Sequence, residues 1–157
     1  MKKGLIFVLV LAAAVGSAAT SSLSAEEAEE SAVRRAALDY IEGWFEGSVE
    51  RMDRALHPRL AKRLVEVDPQ TGREKVIELT KDIMLEYTKR GGGSRVPADR
   101  RLIKITIVDM TETMAMVRSD CSQFIDFLTL AKGEGGAWKI INVLWENVRV
   151  DSAKNNF

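Results

Sequence analysis

The chain has 157 residues, of which 46% are hydrophobic and 29% are charged, a balance typical of a globular protein. Without an export signal roughly 130 residues remain, which is enough for one domain and too few for two. Lys plus Arg and Asp plus Glu number 23 each, so the charge provides no field that would attract a nucleic-acid backbone or an anionic membrane. We therefore expect no nucleic-acid partner.

The first residues predict an export signal. Lys2 and Lys3 form a charged start, and the apolar run from Leu5 to Val15 is too short to span a membrane. Small residues follow, so we expect cleavage after Ala19. A cleavage site nearer Ala25 and a retained N-terminal anchor are the alternatives.

This signal divides the chain into two parts. We expect residues 1–25 to be signal peptide and linker, and residues 26–157 to be one secreted or periplasmic domain, with no stable membrane span after signal removal. Cys121 is the only cysteine, so an internal disulfide is excluded. Its place in a strand-like stretch favours a small buried hydrophobe over a nucleophile.

The first half of the domain is predicted to be helical. Residues 20–30 are interpreted as a solvated linker or a frayed helix start. From Glu29 to Glu46 apolar residues recur at three- and four-residue steps, with Asp39 off that stripe. Gly47 ends this helix and Ser48 can cap the next one. The apolar stripe consists of Val33, Ala37, Tyr40, Ile41 and Trp44.

A short second helix is predicted from Val49 to Ala55. Pro58 closes it, because proline disfavours helical geometry at the preceding residue, His57. The segment from Leu60 to Val67 is ambiguous between a short strand and a helical turn followed by a strand. The sequence then predicts a turn, a strand, an N-capped helix and a glycine-rich loop at residues 68–72, 75–79, 81–89 and 91–94.

The second half predicts strands at residues 101–110, 113–121, 122–132 and 137–150. Alternation along the last strand places Trp138 and Leu144 on one side and Trp145 on the other, where an interface role is as plausible as a pocket role. Helices followed by hairpin-linked strands predict an α+β fold with an antiparallel sheet, the helices covering one face. Several strands are apolar on both faces. A sheet-to-sheet homodimer or curvature around a pocket would hide the second face.

The order of several segments carries a family resemblance. Residues 124–130, a glycine-rich turn and residues 137–142 resemble the closing hairpin of the putative lumazine-binding family, part of the nuclear transport factor 2-like group. Residues 40–44 and 55–58 agree with this, so the resemblance covers residues 29–150. It implies a cone-shaped α+β fold, with N-terminal helices packed on a curved antiparallel sheet. It also implies an interior that is commonly a ligand pocket, and dimers in many relatives.

The wider group includes ketosteroid isomerase, scytalone dehydratase, polyketide cyclases and pure binding domains, and the fold does not decide among them. Asp126 is the first candidate for chemistry, because a carboxylate in an apolar pocket has a raised pKa and can act as acid or base. Its alternative is a strand-edge carboxylate bonded to backbone or paired with Arg118 or Lys139. His57 is the only histidine, whereas scytalone dehydratase-like enzymes use more than one. Its alternative is to close a corner between helix and strand.

Tyr40 completes the catalytic candidates, and either Tyr40 or His57, whose imidazole can transfer a proton near neutral pH, would be the proton partner of Asp126. Aromatic side chains suit flat ligands because they combine an apolar body with a polar tip, although plain core packing is the alternative. One His and one Cys far apart in sequence give no zinc spacing, and there is no cofactor motif, so we expect neither metal nor cofactor. The ligand-binding candidates are Tyr40, Trp44, Phe124, Asp126 and Trp138.

The leading hypothesis is an exported, homodimeric domain, either non-catalytic or of uncharacterised activity, that binds a small hydrophobic or flat heterocyclic ligand. The first alternative is an enzyme of the isomerase, dehydratase or cyclase type, with Asp126 as general base. The second is a protein-interaction module that uses the exposed sheet face around Trp145.

Overall fold

The computed structural model describes residues 15–148, with side chains from residue 24 onward. The charged start and most of the apolar run of the predicted export signal lie outside the described residues, as does the end of the last predicted strand. Export and the domain boundary after residue 25 therefore stay predictions. Within residues 15–148 no helix has both the length and the apolar character that a membrane crossing requires.

Residues 15–148 contain three α-helices: α1 (Val15–Glu46), α2 (Val49–Ala55) and α3 (Lys81–Lys89). The first begins upstream of the predicted start, so residues 20–30, interpreted as a solvated linker or a frayed helix start, are helical. Its predicted last residue, Glu46, is confirmed. Gly47 follows with φ of 68°, a left-handed conformation that glycine adopts without strain. The side chains of Ser48 and Thr80 accept hydrogen bonds from backbone N–H groups of α2 and α3, which begin and end as predicted.

An ion-pair network joins α1 to α2. Asp39 accepts hydrogen bonds from Arg51 Nε at 3.0 Å and from Arg54 Nε at 2.7 Å, one on each carboxylate oxygen. Arg51 also pairs with Glu42 and Glu46. Asp39 lies off the apolar stripe as predicted, yet it is only 6% exposed because α2 covers it.

In the described part of the chain, six strands form one curved, open sheet in the order β2-β1-β6-β5-β4-β3. Four of the five neighbouring pairs are antiparallel as expected, and β1 pairs with β6 in parallel. The ambiguous segment is a strand that begins earlier than predicted. The strands are β1 (Leu56–Val67), β2 (Glu74–Leu79), β3 (Lys104–Met110), β4 (Met114–Asp120), β5 (Phe124–Lys132) and β6 (Trp138–Asn147).

One extra residue interrupts the pairing of β6 with β5. Leu130 pairs with Ile140, and Thr129 pairs with Asn142, so Ile141 has no partner on β5. An unpaired residue of this kind is a β-bulge, and it resets the alternation of side chains beyond it.

The bulge overturns the predicted faces of the last strand. Trp138 and Val143 are both buried, 5% and 2% exposed, whereas Leu144 is 56% exposed on the outer face. Trp145 therefore lies on the helix-covered inner face. The prediction that Leu144 shares a side with Trp138, and that Trp145 lies opposite, is wrong because it assumed unbroken alternation.

The hydrophobic core lies between α1 and the inner face of the sheet, where α1 contacts β3, β4 and β6. The predicted apolar stripe of α1 faces this core, and Trp44 at its end is half-buried. Cys121 is buried and free, as expected of a small hydrophobic residue. The fully buried side chains of the stripe are Val33, Ala37, Tyr40 and Ile41.

Candidate functional site

A cavity of about 360 Å³ opens between the helices and the inner face of the sheet. Helices α1 and α3 supply one side, while β1, β2, β5 and β6 supply the other. Most of its wall is aromatic or aliphatic, which is the usual character of small-molecule pockets. The lining residues are Tyr40, Trp44, Lys62, Ile77, Leu79, Met84, Tyr87, Gln123, Phe124, Trp145 and Asn147.

Aromatic contacts hold one wall of this cavity in place. The ring of Phe124 meets Trp44 edge-on at 6.3 Å between centroids and Trp145 edge-on at 6.2 Å. Its other neighbour is the fully buried Phe45, which it stacks against at 6.4 Å. Trp44 Nε1 donates to Gln123 Oε1 at 3.3 Å. Edge-on and stacked rings at these separations attract one another, so the wall is preformed.

Three polar side chains meet beside the aromatic wall, and we refer to Tyr40, Lys62 and Asp126 as the buried triad. Lys62 Nζ donates to Asp126 Oδ1 at 2.6 Å and to the Tyr40 hydroxyl at 2.8 Å. The Tyr40 hydroxyl donates to the same Oδ1 at 3.2 Å. All three residues are buried, and they come from α1, β1 and β5.

Lys62 is also surrounded by rings. Its Nζ lies 4.5 Å from the centroid of the Trp145 ring and 5.5 Å from the centroids of Tyr40 and Phe124. A cation over aromatic faces is attracted by their electron density, and the attraction grows when water is excluded. The aromatic wall thus helps to hold a positive charge at the cavity.

Hydrogen bonding around Asp126 is incomplete. Its Oδ2 is buried without a hydrogen-bond partner among the described residues, and so are Ser119 Oγ and Trp145 Nε1. These residues are cross-strand neighbours, since Asp126 pairs with Ser119 of β4 and with Trp145 of β6. Buried polar atoms without partners are uncommon and costly. These three atoms can therefore still form hydrogen bonds with a further polar group.

Burial shifts the pKa values of the buried triad. It raises the pKa of Asp126 above the usual range of a carboxyl group, although Lys62 and Tyr40 oppose this. It lowers the pKa of Lys62, against the pull of Asp126. Burial and the nearby carboxylate raise the pKa of Tyr40 well above its usual value. The proton affinities of Lys62 and Asp126 are therefore closer than in water, and moving a proton between them becomes easier.

The structure brings four of the sequence-predicted site residues together. Tyr40, Trp44 and Phe124 line the cavity. Asp126 lies behind Tyr40 and Lys62, fully buried and bonded to both. The partners considered for it in the sequence are engaged elsewhere: Arg118 pairs with Asp120, and Lys139 Nζ donates to the carbonyl oxygen of Arg54.

Two other predicted residues lie away from the cavity. His57 follows α2 at the start of β1, where its Nδ1 accepts a hydrogen bond from Arg59 N at 3.0 Å. Trp138 Nε1 donates to Glu29 Oε2 at 2.7 Å. Neither side chain lines the cavity, so their predicted roles find no geometric support.

Sequence reasoning missed Lys62 and misplaced Trp145. Once residues 60–64 are known to be a strand, Leu60, Lys62 and Leu64 fall on its buried face, and a lysine between two leucines is the signal that was available. Within residues 24–148 no cluster of three or more His, Cys, Asp or Glu side chains is placed to hold a metal ion.

Comparisons with known proteins agree on the fold. The family model described as Putative lumazine-binding matches residues 28–146. A nuclear transport factor 2-like protein of unknown function from Shewanella baltica is 21% identical, with 77% of this chain and 94% of that chain covered and a TM-score of 0.56. No curated protein matches the chain.

Two further solved structures resemble the chain. A ketosteroid isomerase-like protein from Erwinia carotovora is 13% identical, with 76% and 95% of the two chains covered and a TM-score of 0.52. A protein described as a putative scytalone dehydratase from Novosphingobium aromaticivorans is 16% identical, with 81% and 89% covered and a TM-score of 0.52. At these identities the likeness shows the nuclear transport factor 2-like fold alone.

Proposed function

We propose that this chain, which belongs to the Putative lumazine-binding family, binds one small planar organic ligand in its aromatic cavity. The observation that carries the proposal is the cavity itself, whose volume of about 360 Å³ falls in the usual range for ligand pockets. Rings of Trp44, Phe124 and Trp145 provide flat apolar surfaces, and Lys62 and Tyr40 provide polar groups that can orient a ligand.

The test is a thermal-shift screen of flat heterocycles and hydrophobic acids against the full chain. A ligand that binds only the folded state raises the melting temperature by mass action, corresponding to about 2.7 kcal/mol at one hundred times its Kd. Trp44→Leu should abolish the shift. Trp138→Leu is the matched control, since Trp138 is a buried tryptophan outside the cavity. Equal shifts in both variants would contradict the proposal.

A second candidate function is proton transfer, as in isomerase- or dehydratase-type enzymes, and the buried triad favours it. Asp126 does not line the cavity, so it would act through the Tyr40 hydroxyl or Lys62 Nζ, which do. A planar ketone such as tetralone provides the measurement, by exchange of its acidic C–H protons in heavy water. Exchange should be faster with the wild type than with Asp126→Asn, and equal rates would remove this candidate.

A homodimer through the outer sheet face is part of the proposal. Met116, Phe127 and Leu144 lie on adjacent strands and are 50%, 48% and 56% exposed. Phe127 pairs with Leu144, so their side chains form one apolar row. This row replaces the surface around Trp145 as the candidate interface, because Trp145 faces the cavity. Light scattering should give a dimer for the wild type and a monomer for Phe127→Glu, whereas a monomeric wild type would favour a different protein partner.

Export is proposed from the charged start, the short apolar run and the small residues of the first 25 positions. N-terminal sequencing of the protein recovered from the periplasm or the medium checks it. The expected mature chain begins near residue 20. A chain that keeps its first residues would contradict cleavage.

A further inference from the structure

A primary amine in the wall of an apolar cavity is the least expected feature of the pocket. The Lys62 side chain is 5% exposed, yet it belongs to the lining of the cavity. An ammonium group has three N–H donors, and two of those of Lys62 are used by Asp126 and Tyr40. A desolvated lysine in a hydrophobic pocket is also a recognised way of making an amine nucleophilic.

We propose that Lys62 forms a reversible imine with planar aromatic aldehydes that enter the cavity, and that Asp126 is the counterion of the resulting iminium. The inference rests on the proposed binding of planar ligands and extends it to a covalent step at one named atom. The amine, the carboxylate and the aromatic wall that it needs are all within one cluster of contacts.

The step balances without any further reagent. Lys62 passes one ammonium proton to Asp126, and the neutral amine attacks the carbonyl carbon, forming a C–N bond as the C=O π bond breaks. The carbinolamine oxygen takes up protons from the former ammonium group and from Asp126 and leaves as water. Aldehyde plus ammonium thus gives iminium plus water, with Asp126 returned to its carboxylate form.

The contacts of Asp126 fit both halves of this exchange. Its Oδ1 accepts from Lys62 Nζ at 2.6 Å, so the proton has a direct path. A protonated Oδ1 still has a lone pair for the Tyr40 hydroxyl, and Oδ2 has no hydrogen-bond partner among the described residues, so no other contact of the carboxyl group has to break when the proton arrives. Burial lowers the pKa of Lys62 and raises that of Asp126, which favours this transfer.

The product is stabilised by the same surroundings. An iminium on Lys62 keeps its positive charge beside Asp126, so no unpaired charge is left in the cavity. The Trp145 ring, whose centroid is 4.5 Å from Nζ, attracts that cation from the other side. A planar aromatic group joined to it would lie against the aromatic wall of Phe124 and Trp44.

A buried ion pair that only stabilises the fold would have different surroundings. Asp39 shows what such a pair looks like in this protein, because both of its oxygens accept hydrogen bonds and its partners Arg51 and Arg54 lie outside the cavity lining. The pair of Lys62 and Asp126 differs on both counts. A guanidinium also cannot form this imine, whereas an amine can.

The experiment is reductive trapping on the full chain. Naphthaldehyde and sodium cyanoborohydride are added at neutral pH, which converts any imine into a stable secondary amine that peptide mass mapping locates. Lys62 should be labelled about tenfold faster than exposed lysines such as Lys104, since the cavity concentrates the aldehyde beside the amine. Because the wild-type map compares lysines within one molecule, the result does not depend on any variant folding.

Variants and a non-reactive probe supply the controls. Lys62→Arg keeps a cation beside Asp126 and should lose the fast label, while Lys104→Arg should keep it. Asp126→Asn should slow labelling of Lys62, because the counterion is removed. Naphthalenemethanol has the same ring system and no carbonyl group, and an excess of it should protect Lys62 from labelling.

The outcomes separate the two proposals. If naphthalenemethanol raises the melting temperature but the aldehyde labels all lysines equally, the imine is overturned and ligand binding stands. If neither compound changes the melting temperature and labelling is even, both fail for this ligand class. Fast labelling confined to Lys62, with protection by the alcohol, supports both.

Discussion

Asp39 and Asp126 are both buried carboxylates held by basic side chains, and they differ in how completely they are satisfied. Asp39, at the junction of α1 and α2, has hydrogen bonds on both oxygens from Arg51 and Arg54. Asp126, at the cavity, has two hydrogen bonds on Oδ1 and none on Oδ2 among the described residues. Asp39, whose two oxygens both accept hydrogen bonds, stabilises the junction of α1 and α2. Asp126 still has one oxygen that can accept a hydrogen bond from a ligand or take up a proton.

Removing the lysine from the pair of Lys62 and Asp126 should have the largest effect on the free energy of unfolding. Lys62→Met leaves the Asp126 carboxylate buried without a charged partner, which should lower the free energy of unfolding by about 3–5 kcal/mol. Urea unfolding at neutral pH measures it. The loss should shrink at lower pH, because burial already raises the pKa of Asp126 and its neutral form needs no cation.

A double variant shows whether the effect belongs to the pair. Lys62→Met combined with Asp126→Leu should cost less than Lys62→Met alone, since replacing a whole buried ion pair by apolar side chains is often close to neutral. Additive losses from the two changes would mean that the residues do not act together.

Loss of the ion pairs between α1 and α2 should lower the free energy of unfolding by less, and this loss should depend on pH in a different way. Asp39→Asn keeps the size of the side chain and should lower the free energy of unfolding by about 1.5–3 kcal/mol at pH 7, the range for hydrogen bonds to charged groups. Although burial opposes it, hydrogen bonds from Arg54 and Arg51 lower the pKa of Asp39. The stabilisation is therefore complete above the unfolded pKa of about 3.9 and is lost as pH falls through the folded value.

Unfolding curves at neutral and acidic pH test this sign. The difference between wild type and Asp39→Asn should narrow below about pH 4, the ordinary range of a carboxyl pKa. A difference that stays constant down to acid would show that the network contributes through packing and not through charge.

An exposed ion pair supplies the smallest effect and the reference point. Arg63 pairs with Glu78 at 3.1 Å, and the two side chains are 45% and 56% exposed. Arg63→Ala should change the free energy of unfolding by about 0–1 kcal/mol, because solvent and salt screen exposed pairs. A loss as large as that of Asp39→Asn would remove burial as the explanation of the comparison.

Local signals in the sequence were sufficient for much of the fold. Caps at Ser48 and Thr80 and the left-handed Gly47 fixed the ends of the helices, because each acts within one turn of the chain. The pairing of β1 with β6 could not be predicted in the same way, since these strands are far apart in sequence and no turn joins them.

The candidate site was predicted in part for the same reason. Asp126 and Tyr40 were named from their apolar surroundings and the family resemblance, and the structure joins them at 3.2 Å. Lys62 was missed because the hydrophobic residues of its segment had no clear helical or strand periodicity. Its proximity to Asp126 depends on the pairing of β1 with β6, which the sequence did not predict. Asp39 was expected off the helix stripe, and its burial depends on how α2 folds back.

Because Ile141 is a bulge, the number of residues in this short segment of β6 determines which later side chains face the cavity and which face outward. Deleting that residue would place Asn142 directly after Ile140, so that regular alternation would keep the indole of Trp145 inside and Leu144 outside. Deleting Ile141 and Asn142 together would instead turn over the remainder of β6, so that Trp145 would point to solvent and Leu144 would take its place inside. Loss of two residues at this position therefore exchanges the ligand-facing and outward-facing side chains in one event, which no point substitution of either residue achieves.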